Sequence, residues 1–148
     1  DGAWPTLDEM GFLPVSVQGI KEPPLEPFYD SIVRSMLPYT ASTTYYLQRM
    51  VNCWRLINVL FVVTSTCNQA LTVQVVGNEE DNSRSAAQLT NIGTGQNLPA
   101  VGSQTSKLSL GVSLLGANWH PFLGVTVASG GTPPTTGEVQ VQAFGRYR

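Results

Sequence analysis

Charge is what this sequence has least of. Only 12% of its 148 residues are Asp, Glu, Lys or Arg, about half the ~25% usual for globular proteins. Two lysines and six arginines stand singly along the chain. Such spacing offers no basic footprint to neutralise phosphates, so nucleic acid is not an expected partner. No apolar run reaches the ~18 residues of a spanning helix, so no membrane segment is expected either. The longest candidate, residues 56–64, has the length of a strand. No Asn-x-Ser/Thr sequon occurs, so nothing points to N-glycosylation.

Reactive side chains are equally scarce. His120 is the single histidine. Nucleophilic catalysis needs a nucleophile, a base and an orienting group, and no G-x-S-x-G elbow accompanies His120. Two cysteines and one histidine do not make a zinc set. Residues 78–82, NEEDN, lack the spacing of a calcium loop and read as a solvated acidic turn. Gly93, Gly95 and Gly102 precede no helix pattern, so they do not cradle a phosphate. The expectation is a protein without enzymatic activity, cofactor or metal.

Cys53 and Cys67 bracket a run that reads as one strand. At ~3.3 Å per residue they would lie on the order of 40 Å apart, beyond the ~7 Å between Cα atoms that a disulfide tolerates. Two reduced thiols are expected.

What the sequence does have is apolar content, 42%, and turn residues. With a net charge of −2 this is the composition of a folded domain rather than a disordered chain. A chain of this length buries roughly 70% of its unfolded surface and folds without a staple. The missing charge is replaced by Ser, Thr, Asn, Gln and Gly. Such surfaces suit β-proteins and faces that pack on neighbours, where an isolated charge is costly to desolvate.

Residues 1–24 carry Trp4, Leu7, Met10, Phe12, Leu13, Val15, Val17 and Ile20 without a sustained period, and four prolines interrupt them. This is an extended arm that cannot build its own core. It lies across its own domain or reaches a neighbouring subunit. Trp4, Leu7, Phe12, Leu13 and Ile20 are the candidate partner-binding residues. Residues 25–38 carry the one helix signal. Pro27 suits a first turn, Phe28, Ile32 and Met36 form a stripe, Asp30 and Arg34 are spaced for an ion pair, and Pro38 ends the run. A short helix over about 26–37 is expected, within an arm spanning 1–40 ahead of a β-domain at 41–148.

From there the period is 2. Residues 43–51 read as a strand, and 54–64 as a central strand apolar on both faces. Leu71, Val73 and Val75 alternate with polar residues and pair with 54–64 as a hairpin. Residues 77–84 are a polar loop, and 85–105 a weak strand or irregular stretch. Leu108, Leu110, Val112 and Leu114 alternate cleanly. Leu123, Val125 and Val127, then Val139, Val141 and Ala143, alternate around SGGTPPTTG and read as an antiparallel hairpin. Six to eight strands joined by turn chemistry predict an all-β antiparallel sandwich, jelly-roll-like in form.

The pattern W-x-P-F-L-x-V-x-V at residues 119–127, a Gly/Pro/Thr loop, and T-G-x-V-x-V at 136–141 resemble small β-sandwich virion proteins of bacteriophages, among them head decoration (cement) proteins. The resemblance covers about 30 residues. It implies a non-enzymatic homo-oligomer, a trimer, bound to other capsid subunits at the virion surface, with the arm making contacts. A single-jelly-roll coat protein is the nearest alternative. A carbohydrate-binding or adhesion module is the rival from another class, since Trp4, Trp54, Trp119, Tyr45, Tyr46 and Tyr147 could stack on sugar rings. Trp54 and Trp119 each begin a strand, where capping a core is the commoner role.

Overall fold

The computed structural model describes residues 28–33, 40–46, 50–80, 89–101 and 106–148. Nine strands follow in order: β1 (Phe28–Val33), β2 (Thr44–Tyr46), β3 (Val51–Asn52), β4 (Leu56–Ser65), β5 (Leu71–Asn78), β6 (Thr90–Leu98), β7 (Ser106–Ser113), β8 (Phe122–Ser129) and β9 (Glu138–Tyr147). They form two sheets, β1-β9-β4-β7 and β2-β8-β5-β6, with β3 also on β8. Every pairing is antiparallel. The expected all-β antiparallel sandwich is the architecture observed.

The register holds a simple rule. Phe28 lies opposite Ala143, Thr44 opposite Ala128, Val59 opposite Val112, and Leu71 opposite Leu98. In each pair the two residue numbers add to nearly the same total. The chain is therefore one long antiparallel ribbon folded back at the β5–β6 connection. Wrapping that ribbon into two layers adds the lateral pairings of β4 with β9 and of β5 with β8.

Alternation decides which side chains meet between the sheets. Val59, Phe61 and Val63 of β4, Val139, Val141 and Ala143 of β9, Leu71, Val73 and Val75 of β5, and Leu123, Val125 and Val127 of β8 join one buried cluster. Burying each such aliphatic or aromatic side chain contributes roughly 1.5–3 kcal/mol. Cys53 and Cys67 are buried in the same core and form no disulfide.

Four expectations need correction. The helix expected over about 26–37 is absent where the chain is described: residues 28–33 are β1, paired with β9. Phe28, Asp30 and Ile32 also alternate with Tyr29, Ser31 and Val33, and a ladder of backbone bonds to β9 outweighs a helix too short to hold itself. The sheet thus draws one strand from the stretch assigned to the arm. The two expected hairpins are not hairpins. β8 and β9 lie in opposite sheets, as do β4 and β5. Their connections, 130–137 and 66–70, cross from layer to layer, and the first is longer than tight hairpin loops of 2–5 residues. The single strand expected over 43–51 is two short ones, β2 and β3, both on β8.

β6 fills the region read as weakly patterned. It is an edge strand with an exposed face, so burial imposes no alternation on it. Val73 pairs with Gln96 but Val75 with Ile92, leaving Gln74 facing a three-residue bulge. Gln74 Nε2 fills it, donating to the Val75 and Ile92 carbonyls at 2.8 and 3.0 Å. Gly93 in the bulge has φ +71°, which glycine adopts without strain. Bulges of this kind blunt an edge against unwanted pairing.

Candidate interaction surfaces

His120 sits in the β7–β8 connection, against β5. Its ring packs on the backbone at Gly77, where an added Cβ would stand 2.5 Å from the imidazole Cγ. Its Nδ1 lies 3.3 Å from the Asn118 carbonyl. Among the described residues no group of three or more His, Cys, Asp or Glu converges as a metal site would require. At the acidic turn, buried Asn78 donates through Nδ2 to the Glu80 carbonyl at 3.0 Å, which shapes the turn, while Glu79 and Glu80 face solvent. Residues 81 and 82 lie outside the described residues. Burial pushes the Cys53 thiol up to about 12, against a smaller opposing effect of a backbone hydrogen bond from Leu123. A thiol that stays protonated is a poor nucleophile, so Cys53 acts as a small core residue.

Surfaces are where this domain offers chemistry. One end of the sandwich gathers the turn before β4, the β7–β8 connection and the C-terminal end of β9. Trp54 stands there 58% exposed and Leu115 76% exposed. The rings of Trp54 and Trp119 meet edge to face, centroids 5.3 Å apart at 72°. Trp119 packs against the core while Trp54 leans on it from outside. Trp54, expected to begin the strand and cap the core, instead lies in the turn ahead of β4 and does not cap it. The turn is held by backbone bonds: Cys53 N–H donates to the Pro121 carbonyl at 2.8 Å and Arg148 N–H to the Arg55 carbonyl at 3.0 Å. The Trp54 N–H donates to Asn52 Oδ1 at 3.1 Å. The Trp119 indole Nε1 is shielded from water and has no acceptor among the described residues. Such an orphan donor costs roughly 1–3 kcal/mol.

A second surface is the outer face of β2-β8-β5-β6. Thr44, Tyr46, Thr72, Gln74, Asn91 and Thr126 line a shallow groove of about 260 Å³. Hydroxyls, amides and one phenol ring share its lining with Val76, Leu89 and Ala128, and no charged side chain is among them. A third is the outer face of β1-β9-β4-β7. Leu60 and Phe144, directly opposite each other on β4 and β9, are 40% and 37% exposed.

The arm residues Trp4, Leu7, Phe12, Leu13 and Ile20 lie outside the described residues. Of the aromatics considered for sugar stacking, Trp4 is likewise outside. Tyr45 is in the core with its hydroxyl accepting from Thr40 N–H at 2.7 Å. Tyr147 packs against the core, Tyr46 lines the groove, and Trp54 and Trp119 form a ring pair. Leu60, Leu115 and Phe144 escaped sequence reasoning. The signal was present for Leu115: it follows Leu114, the last member of the β7 alternation, and so falls out of phase with it.

No protein-family model matches the chain, and no curated protein is significantly similar to it.

Proposed function

We propose that this chain is a non-enzymatic virion structural protein, a jelly-roll subunit that holds a capsid together by binding neighbouring subunits through its arm and the edges of its sandwich. The observation that carries this reading is the strand order. A single ribbon wrapped into sheets β1-β9-β4-β7 and β2-β8-β5-β6 is the pattern of a jelly roll, with β2 and β3 sharing one strand position. Double-sheet jelly rolls recur in viral capsid domains. The same order favours a coat subunit, which builds the shell, over a decoration protein added to it.

The surface chemistry supports the reading. A chain with few charges and with apolar side chains exposed at Trp54, Leu60, Leu115 and Phe144 is suited to desolvation against copies of itself. The arm's apolar residues would add ~25 cal/mol per Å² buried, less the ordering cost of the arm. Light scattering on the full chain tests this. A stable trimer or larger particle is expected, and Phe12→Ser/Leu13→Ser should dissociate it while the β-sheet circular dichroism persists. A wild-type chain that stays monomeric at all concentrations, or an assembly indifferent to the arm change, overturns the proposal.

A second reading has one observation in its favour. Jelly rolls also serve as lectin domains, and the uncharged groove with Tyr46, Gln74 and Asn91 matches the hydrogen-bonding needs of a neutral saccharide. It predicts saccharide shifts on the amide signals of Thr72 and Asn91, with no dependence on the arm.

A further inference from the structure

We propose that the free edge of β7 is a docking site for a second copy of this chain, whose own β7 pairs with it antiparallel and joins the two sheets into one. The inference rests on the subunit reading above, and names the edge that it uses and what occupies it.

The sheets end at β1 and β7 and at β2 and β6, with β3 beside β2 on β8. Most of these edges are blunted. β2 and β3 are three and two residues long, β6 carries its bulge, and β1 carries Asp30 within its span. β7 has eight residues and no proline, and it keeps one unbroken register with β4 from Ser106 to Ser113. Its one charge, Lys107, stands near its start. Long, flat edges of this kind template further strands. Among the described residues no strand pairs with this edge. The Leu114 N–H donates to the Ile57 carbonyl at 2.9 Å. Backbone groups alternate in direction along a strand, so Leu108, Leu110 and Val112 turn theirs to β4. Lys107, Ser109, Gly111 and Ser113 turn theirs outward.

The core is unfinished at the same place. Val59, Phe61 and Val63 of β4 are fully buried, whereas Leu108 and Leu110 of β7 are only half-buried. A cleft of about 360 Å³ opens between β6 and β7, lined by Val75, Ile92, Leu110 and Val112 with Ser109 and Gly111 at the free edge. A strand added to β7 sets alternate side chains over this cleft. A second β7 is matched to it, because opposite residues in an antiparallel pair share a face. The register that sets Leu110 opposite Leu110 of the second copy also sets Leu108 opposite Val112 and Ser109 opposite Gly111. Apolar side chains then meet apolar ones, and outward backbone groups meet outward ones. Lys107 falls opposite Ser113, so no like charges face each other. The strand is thus self-complementary, as an isologous two-fold contact requires.

Light scattering and amide hydrogen exchange on the full chain test this together. As copies associate with concentration, exchange at Ser109 and Gly111 should slow by about tenfold or more. Protection in a solution that light scattering shows to be monomeric overturns the proposal, because the chain then covers its own edge. Unprotected amides in the associated state overturn it too. Leu110→Cys reads the register. Opposed Cβ atoms lie about 4.5–5.5 Å apart, near disulfide reach, so oxidised glutathione should link two copies through Cys at 110 but not through Ser109→Cys. Cys53 and Cys67 are buried and do not compete. Any other pattern of linking overturns the pairing. Ser109→Pro spares the β4 ladder, since that N–H points outward, and proline is tolerated only while β7 stays an edge. It should lose the dimer and keep the β-sheet circular dichroism. Large particles without the Leu110→Cys link would sink this inference alone, whereas a linked dimer that never grows would sink the capsid reading alone.

Discussion

The imidazole of His120 occupies the space that any side chain at position 77 would need. A Cβ on Gly77 would stand 2.5 Å from the ring Cγ and 2.6 Å from Nδ1, closer than such atoms approach. Gly77 lies on β5 opposite Leu123, near the start of β8, so the ring is pressed onto the sheet by its own loop. Gly77→Ala should cost about 1–3 kcal/mol, as overpacking does. His120→Ala should relieve it, making the double variant more stable than the two single losses predict. Urea denaturation of the four proteins checks this, and simple additivity would show that the ring moves aside freely.

At the opposite end, two loops are joined across the layers. Asn68 receives the Thr135 N–H on Oδ1 at 2.9 Å and donates through Nδ2 to Thr135 Oγ1 at 2.8 Å. Gly137 follows with φ +96°, and a Cβ there would run into the Thr66 carbonyl. Two faults coincide at that glycine, a left-handed backbone and a backbone clash. Gly137→Ala should therefore cost at least about 2 kcal/mol. Asn68→Ala removes exposed hydrogen bonds worth about 1 kcal/mol together, since solvent replaces part of them. Thermal melts that rank the two the other way would contradict the described turn.

Strand positions and inward faces were legible because alternation is local: Val125, Val139 and Phe61 could be placed in a core from their neighbours alone. Partners were not. Nothing in Leu123 to Val127 states that their strand pairs with β5 rather than β9, since both would satisfy the same pattern. Only the length of the 130–137 connection argued against a tight hairpin. β1 was misread because Phe28, Ile32 and Met36 fit a helical stripe as well as Phe28, Asp30 and Ile32 fit an alternation, and the choice is made by β9, over a hundred residues away. Trp54 was misjudged for a related reason: it reads as the first residue of the strand, but the strand begins at Leu56 and the turn that carries Trp54 points it outward.

Burial gives Cys53 a signature in pH. Its thiol rises from the ordinary value of 9.0 to about 12 in the folded chain. The protonated form is favoured by folding, so the stability is fully present below about pH 9 and is lost as pH climbs towards 12. In that window the unfolded chain releases a proton that the folded chain keeps, and stability should fall by about 1 kcal/mol per pH unit from this group. Cys53→Ala should be less stable near neutral pH through loss of packing, yet show a shallower decline between pH 9 and 11. Parallel slopes in wild type and variant would mean that the thiol reaches water.

Leu60 and Phe61 are consecutive, yet they face opposite worlds. Phe61 is fully buried, opposite Ala143, whereas Leu60 is 40% exposed, opposite Phe144. Because the side-chain period of a strand is 2, a slip of one residue would exchange their roles throughout β4 and β9. Phe61→Ala should cost about 3–5 kcal/mol, the range for emptying a buried aromatic site. Leu60→Ala and Phe144→Ala remove half-exposed side chains and should cost about 1 kcal/mol or less. If the outer face meets a neighbouring subunit, the same two substitutions should weaken assembly measured by light scattering far more than they lower the melting temperature. Phe61→Ala would lower both together, because its effect on assembly passes through the fold. A Leu60→Ala penalty equal to that of Phe61→Ala would overturn the register on which the sandwich rests.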